Sequence, residues 1–247
     1  MKYAILSDIH ANLEALQAVL TDAYSQADAF ICLGDIVGYN PNPNECLRLI
    51  QSTCQLSIIG NHDQAAIGTR PYDDFNEYAI AAMDWTRSQL TPEGEAYLHR
   101  LPCTARFGDR CLAAHGSPRD TDEYLFEKRQ FEHSFAYLQQ HMPEVWCCFV
   151  GHTHLPMVWH QTPEGQVEFV RLSSPTLTLE TTHRYIVNPG SVGQPRYGEP
   201  DPSYILLDEA ARTLEFRFVT YDIDATQEKI YDIGLPPYLA ERLALGH

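Results

Sequence analysis

Five groups of residues hold most of the side chains in this 247-residue sequence that could act together chemically. They are Asp8-Ile9-His10, Gly34-Asp35, Gly60-Asn61-His62-Asp63, His115-Gly116 and Gly151-His152-Thr153-His154. Asp, Asn and His are all metal ligands. Mixed in one site they suit first-row divalent ions better than the all-oxygen cage of calcium or the thiolate cage of structural zinc. Any one group alone reads equally well as a turn cap, because Asp and Asn fill turns throughout proteins. Five groups in order, each after an apolar run, satisfy the ligand-cluster test far better than isolated turns do. Two ions held ~3.5–4 Å apart repel each other, so a carboxylate is needed between them. Asp35 is the only carboxylate that stands alone in its group and is the expected bridge. His152 and His154 are two residues apart. In extended backbone they would project to one side, each serving a different ion.

The elements that must position these groups follow from the apolar pattern. Lys2–Ser7 reads as a first strand, Leu13 to about Tyr24 as a helix capped by Asn12, and Asp28–Leu33 as a second strand. Strand, helix, strand within this span is a βαβ unit with parallel strands. A helix over Glu45–Ser52 and a strand over Gln55–Ile59 repeat the unit. Gln64 to about Pro102 reads as a helical layer or partial cap, with Tyr78, Ile80, Ala81, Met83, Trp85 and Leu90 on its apolar face. Arg110–Ala114 and Trp146–Val150 read as core strands, with a helix over Phe126–Gln140 between them. After His154 the chain turns to strands, including a hairpin over Ser203–Tyr221, and then to a helical tail over about 225–247. An α/β chain of this kind fits two stacked sheets with helices outside, in one domain over 1–247.

The bulk properties bound the function. Net charge is −16, which disfavours a nucleic-acid polymer or an anionic membrane as partner. It leaves room for a phosphate substrate if divalent cations reverse the local field. No apolar run approaches a membrane span, and the start of the chain carries no signal-peptide pattern, so a cytoplasmic location is expected. The seven cysteines include no C-x-x-C spacing and read as reduced core or surface thiols.

In order and spacing the five groups resemble the D-x-H, G-D, G-N-H-[D/E], H and G-H-x-H pattern of the calcineurin-like metallophosphoesterase superfamily. Asn188-Pro189-Gly190-Ser191-Val192 is similar to a later segment of its bacterial small-phosphoesterase branch. The resemblance implies a four-layer α-β-β-α sandwich of two mixed sheets flanked by helices. It implies one ion on Asp8, His10, Asp35 and His154, and a second on Asp35, Asn61, His115 and His152. Manganese is the first expectation, with iron, zinc, nickel or magnesium as alternatives. The implied chemistry is attack of an ion-activated water on phosphorus, with His62 at the transition state or leaving group and Asp63 orienting it. Asn12, Tyr39, Arg119 and Arg196 are the candidate substrate contacts. Arg196 is the strongest of these, because guanidinium matches phosphate geometry. The protein phosphatases of the superfamily carry D-R-G shortly after G-D. Here the text is Gly34-Asp35-Ile36-Val37-Gly38, which favours small molecules.

The expected function is therefore hydrolysis of a small phosphodiester or dinucleoside polyphosphate. The alternatives are a phosphomonoesterase and, more remotely, a non-catalytic scaffold; a homo-oligomer is compatible with either. The H-x-H-x-D-H motif of metallo-β-lactamase-like hydrolases is absent, and the D-x-D of haloacid-dehalogenase phosphatases is broken by His10. The other histidines (His99, His133, His141, His160, His183, His247) read as solvated or structural.

Overall fold

The structure is a computed structural model describing residues 1–247. Twelve strands form two six-stranded sheets. The first sheet contains β1 (Lys2–Leu6), β2 (Ala29–Cys32), β3 (Cys54–Ser57), β9 (Thr176–Thr178), β11 (Ser203–Asp208) and β12 (Thr213–Phe218), in the order β3-β2-β1-β11-β12-β9. The second contains β4 (Thr104–Phe107), β5 (Cys111–Ala114), β6 (Cys147–Phe149), β7 (Pro156–Gln161), β8 (Val167–Phe169) and β10 (Arg184–Pro189), in the order β4-β5-β6-β10-β7-β8. Each sheet has a parallel half and an antiparallel half. The pairs β1·β2, β2·β3, β5·β6 and β6·β10 are parallel, and the other pairs are antiparallel.

The helices are α1 (Leu13–Ala23), α2 (Pro43–Thr53), α3 (Asn61–Ala66), α4 (Glu77–Gln89), α5 (Pro92–Leu98), α6 (Lys128–His141), α7 (Ile223–Asp232) and α8 (Pro237–Glu241), followed by a 3-10 turn over Arg242–Leu245. No helix is long and apolar enough to cross a membrane. Asn12 caps α1 by accepting the Ala15 N–H at 3.1 Å, and Thr91 caps α5 by accepting the Gly94 N–H at 3.2 Å.

Strand alternation explains the layering. Tyr3 and Ile5 of β1, Ala29 and Ile31 of β2, and Cys147 and Phe149 of β6 face the core between the sheets. Their neighbours Ala4, Leu6, Phe30 and Cys32 face α1 and α2, while Cys148 and Val150 face α6. Strands buried on both faces must be apolar at every position, as these runs are. The two mixed sheets with outer helices are the expected four-layer sandwich.

Two strands are unmarked in the sequence, and two local expectations change. β4 and β9 carry no apolar run: they are short edge strands, largely exposed, reading T-A-R-F and T-L-T. Helix α4 fully buries Ala79, Ala82, Met83 and Thr86; of the expected face Met83 is buried, Tyr78 and Trp85 pack partly buried against the cluster around Ala79 and Ala82, and Ile80 is only half-buried. Asn61 and His62 open α3 and do not sit in a free loop; Gly60 is the N-cap.

Candidate functional site

Parallel strands place their carboxyl ends along one edge of a sheet. The loops after β1, β2 and β3 carry Asp8, Asp35 and Asn61. Those after β5, β6 and β10 carry His115, His152 and Gln194. The two edges meet, and the six loops converge on one buried spot. Asp8, His10, Asp35, Asn61, His62, Asp63, His115, His152 and His154 are all buried there.

The backbone is bent to reach it. Asp8, His10, Asp35, His152 and His154 all have positive φ, between 47° and 67°. Left-handed backbone is costly for residues with a Cβ, and such strain concentrates where side-chain aim matters. For His152 and His154 this corrects the extended backbone expected from the sequence. The two rings still diverge, with His154 near Asp8 and His10 and His152 near Asp35 and His115. Close approach also requires Gly60 and Gly151. A methyl at Gly60 would overlap the Asp35 carboxylate, and one at Gly151 would overlap Ser7 and crowd Asp8.

Backbone atoms orient the ligand-type side chains. His10 Nδ1 lies 3.2 Å from the Val37 carbonyl, His115 Nδ1 2.8 Å from the Leu33 carbonyl and His154 Nδ1 2.6 Å from the Gln194 carbonyl. A carbonyl only accepts, so each Nδ1 carries the proton and each neutral ring turns a bare Nε2 inward. The inward atoms then face one another. His10 Nε2 and His154 Nε2 are 3.1 Å apart, and His115 Nε2 is 3.1 Å from Asn61 Oδ1. The Asp35 Oδ2 carboxylate oxygen lies 3.3 Å from His115 Nε2 and 3.6 Å from His10 Nε2. The Asp8 Oδ1 oxygen is 3.3 Å from His154 Nε2. Each carboxylate is also held from behind: the His62 N–H donates to Asp35 Oδ1 at 2.9 Å and the His152 N–H to Asp8 at 3.0 Å. His152 Nε2 is buried with no partner.

Inward lone pairs with no donor between them repel unless a cation or proton lies among them. The residues present therefore fit divalent ions. Three sets of potential ligand atoms lie within 4.8 Å of one another: Asp8, His10 and His154; His10, Asp35 and His62; and Asp35, His115 and His152. Without an ion, protons take over the role. Burial alone would lower the His115 pKa, but the Asp35 and Asp8 charges outweigh it and raise it to about 10. Burial pushes His152 down to about 3, helped by the His115 charge, and pushes His62 down to about 4 against the pull of Asp35. Burial would raise Asp35, yet His115 and His62 hold it well below the usual carboxylate range.

The remaining expectations divide. Tyr39 sits edge-on to His10, with ring centroids 4.7 Å apart, and tilts against His62 at the same distance. Arg196 donates from Nη2 to Gln194 Oε1 at 2.9 Å, beside the His154 loop, and its buried Nε has no partner. Asn12 is spent on structure: it caps α1 and donates to the Gly193 carbonyl at 3.1 Å, with no exposed surface. Arg119 is exposed and paired with Glu123. Asp63 does not hold His62. Its carboxylate accepts N–H donors from Ile36 (2.8 Å), Val37 (3.0 Å) and Gly60 (3.1 Å), fixing the turn that presents Asp35. Burial and the Asp35 charge raise its pKa to about 7.

Sequence reasoning missed four neighbours of the site. Tyr124 stacks on His152 at 3.8 Å, and Phe75 lies tilted against His62 with ring centroids 4.5 Å apart. Gln194 supplies the carbonyl for His154, and the Arg242 guanidinium carbon lies 5.9 Å from the Tyr39 ring centroid. None carries a motif. Asn188 had a motif, and its role is now explicit: Nδ2 donates to the Gly151 carbonyl at 2.7 Å and to Thr153 Oγ1 at 3.0 Å, bracing the loop of His152 and His154.

Comparison with known proteins agrees with this geometry. A sequence profile described as the calcineurin-like phosphoesterase superfamily domain matches residues 1–212. An uncharacterized protein of Methanocaldococcus jannaschii is 39% identical over 249 residues, spanning 98% of this chain and 97% of its own. The crystal structure of a metallophosphoesterase from Sphaerobacter thermophilus is 39% identical, with a TM-score of 0.85 over 100% of this chain and 99% of its own. A hypothetical protein from Pyrococcus horikoshii OT3, 21% identical, shares the fold with a TM-score of 0.80 over 100% of this chain and 98% of its own.

Proposed function

The chain belongs to the calcineurin-like phosphoesterase superfamily and is a hydrolase of phosphoesters, and on that premise we propose that it cleaves a small-molecule phosphodiester or dinucleoside polyphosphate in preference to a phosphomonoester. Two divalent ions, manganese first, would be held by Asp8, His10, Asp35 and His154 on one side and by Asp35, Asn61, His115 and His152 on the other. The observation that carries this reading is the set of inward, carbonyl-fixed Nε2 atoms around the Asp35 carboxylate. The ions, when bound, acidify water and neutralise charge on the phosphoryl oxygens.

The chain's own residues do the rest. Asp35 Oδ2 faces both histidine groups, while Oδ1 is locked on the His62 N–H, so its aim is set before anything binds. His62 is kept neutral by burial and carries one N–H, which donates to the leaving oxygen. Asp63 is a positioning residue for the Asp35 turn, and Arg196 holds a non-reacting phosphate oxygen. Residues 1–247 act as one domain, with the helices of 64–102 flanking the entrance.

The test is hydrolysis by metal-stripped protein reconstituted with Mn²⁺, comparing an aryl phosphomonoester with the bis-aryl phosphodiester and using Asp35→Asn as the blank. Faster diester cleavage is expected. Faster monoester cleavage would make the protein a phosphomonoesterase. No turnover of either ester, with metal bound, would overturn the reading.

A further inference from the structure

A cavity of about 340 Å³ opens directly from the buried site, with Asn61, His62 and His152 at its inner end. Tyr39, Phe75 and Tyr124 are the aromatic part of a lining that is otherwise largely polar. Phe75 lies on the His62 ring at 4.5 Å and 31°, and Tyr124 on the His152 ring at 3.8 Å and 27°. Their planes are thus fixed by residues of the site itself. Tyr124 is 42% exposed and Phe126, parallel to it at 5.5 Å and 7°, is 56% exposed. Large aromatic rings left open beside a polar centre lose the benefit of burial until something planar covers them.

The charges at the outer end say what can lie there. Arg70 is the cation of this end, its guanidinium carbon 5.2 Å from the Phe75 ring centroid, and four of its five N–H donors are already committed. Nε donates to Asp122 at 2.8 Å, Nη2 to Asp74 at 2.8 Å, and Nη1 to Asp74 at 3.2 Å and to the Pro71 carbonyl at 2.6 Å. One guanidinium against two carboxylates leaves the outer end net negative. A phosphate is repelled there, whereas a neutral ring is not.

We propose that this cavity is a stacking subsite for a neutral planar ring carried by the phosphoester substrate, with Phe75 and Tyr124 as its specificity-determining residues. The proposal rests on the phosphoesterase reading for the placement of the phosphate at the inner end, and it adds the chemical class of the rest of the molecule. Substrates are aromatic esters, the ring being a nucleobase or an aryl group. Stacking of such a ring on an aromatic side chain contributes on the order of 1–3 kcal/mol.

Calorimetric binding to the Mn²⁺-loaded protein tests it, using phenylphosphonate against methylphosphonate. The two have the same charged group and neither presents a phosphoester to cleave. Phenylphosphonate is expected to bind about five- to a hundredfold tighter. Tyr124→Leu and Phe75→Leu should each pull that ratio toward one, while Tyr124→Phe retains it; a thermal melt of each variant verifies folding. Free adenosine against free ribose separates the two ring sources: tighter adenosine binding marks a nucleobase, and a preference confined to phenylphosphonate marks a small aryl group. A wild-type ratio near one in both comparisons, or an unchanged ratio in both folded leucine variants, overturns the proposal. Absence of turnover on every ester, with the ring preference intact, would sink the phosphoesterase reading and leave the ring subsite standing.

Discussion

His160 and His183 stack with ring centroids 4.9 Å apart on the antiparallel half of the second sheet, and His10 and His154, tilted by 32°, lie the same 4.9 Å apart where the two sheets meet. Glu168 lies 3.5 Å from the outer pair, just as Asp8 lies 3.3 Å from the inner one. By residue type and spacing the two are alike. They differ in what stands behind the rings. The inner histidines are buried and each Nδ1 meets a backbone carbonyl, whereas His160 and His183 are partly exposed and the His183 Nδ1 meets only the exposed Thr182 hydroxyl, at 3.3 Å. A metal site is made by oriented lone pairs, and orientation comes from the neighbours of the ligands.

Four experiments can break or sharpen that contrast. Asp35→Asn removes the carboxylate that faces both inner histidine groups. Turnover of the aryl esters should fall by on the order of a thousandfold or more, with bound metal falling too. Full activity would remove Asp35 from the mechanism. Asn188→Ala touches no candidate ligand but frees the loop of His152 and His154. Metal affinity measured by competition with a chelator dye should weaken by about 10–100-fold, with a loss of about 1–3 kcal/mol in denaturant stability. An unchanged affinity would mean that support from behind is dispensable.

The third experiment is a pH series of melting temperatures. In the metal-free protein the His115 proton stabilises the fold fully below the unfolded value near 6.5, and that contribution is lost as pH rises toward about 10. His62 and His152, lowered to about 4 and 3, act oppositely: their stabilisation is present above about 6.5 and lost as pH falls through those values. Metal-free protein should therefore melt highest near neutral pH and lower on both sides, and metal loading should flatten the alkaline limb. An alkaline limb equally steep with and without metal would show that no ion replaces the His115 proton. The smallest effect belongs to the outer pair. His160→Ala and His183→Ala should leave metal content and turnover unchanged and shift stability by no more than about 0.5 kcal/mol. Loss of metal in either variant would erase the distinction between the two clusters.

Part of this contrast was legible in the sequence. The βα repeats, the strand ends and all of the ligand-type residues follow from apolar runs that stop at Gly, Asp or His, because such runs are buried on both faces. The carbonyls of Leu33, Val37 and Gln194 were not legible, since every residue has one and only the fold says which is near. The capping role of Asn12 was legible, but a substrate contact would call for the same amide, which Ala15 and Gly193 already occupy. Asp63 was misread because adjacency to His62 in sequence says little at the start of a helix, where successive side chains point apart. Tyr124 and Phe75 lie between elements, with no periodicity to mark them.

The position of β1 between β2 and β11 has a consequence for the chain as it is made. β2 follows β1 closely, but the other edge of β1 pairs with Ile205–Asp208, some 200 residues later. At about 5–20 residues per second, a ribosome takes roughly 10–40 s to deliver that partner. Through that interval an apolar strand at the centre of the future sheet presents an open row of backbone N–H and C=O groups, the condition under which nascent chains pair with one another. Production of this protein should accordingly depend on chaperone supply far more than the finished sandwich would suggest.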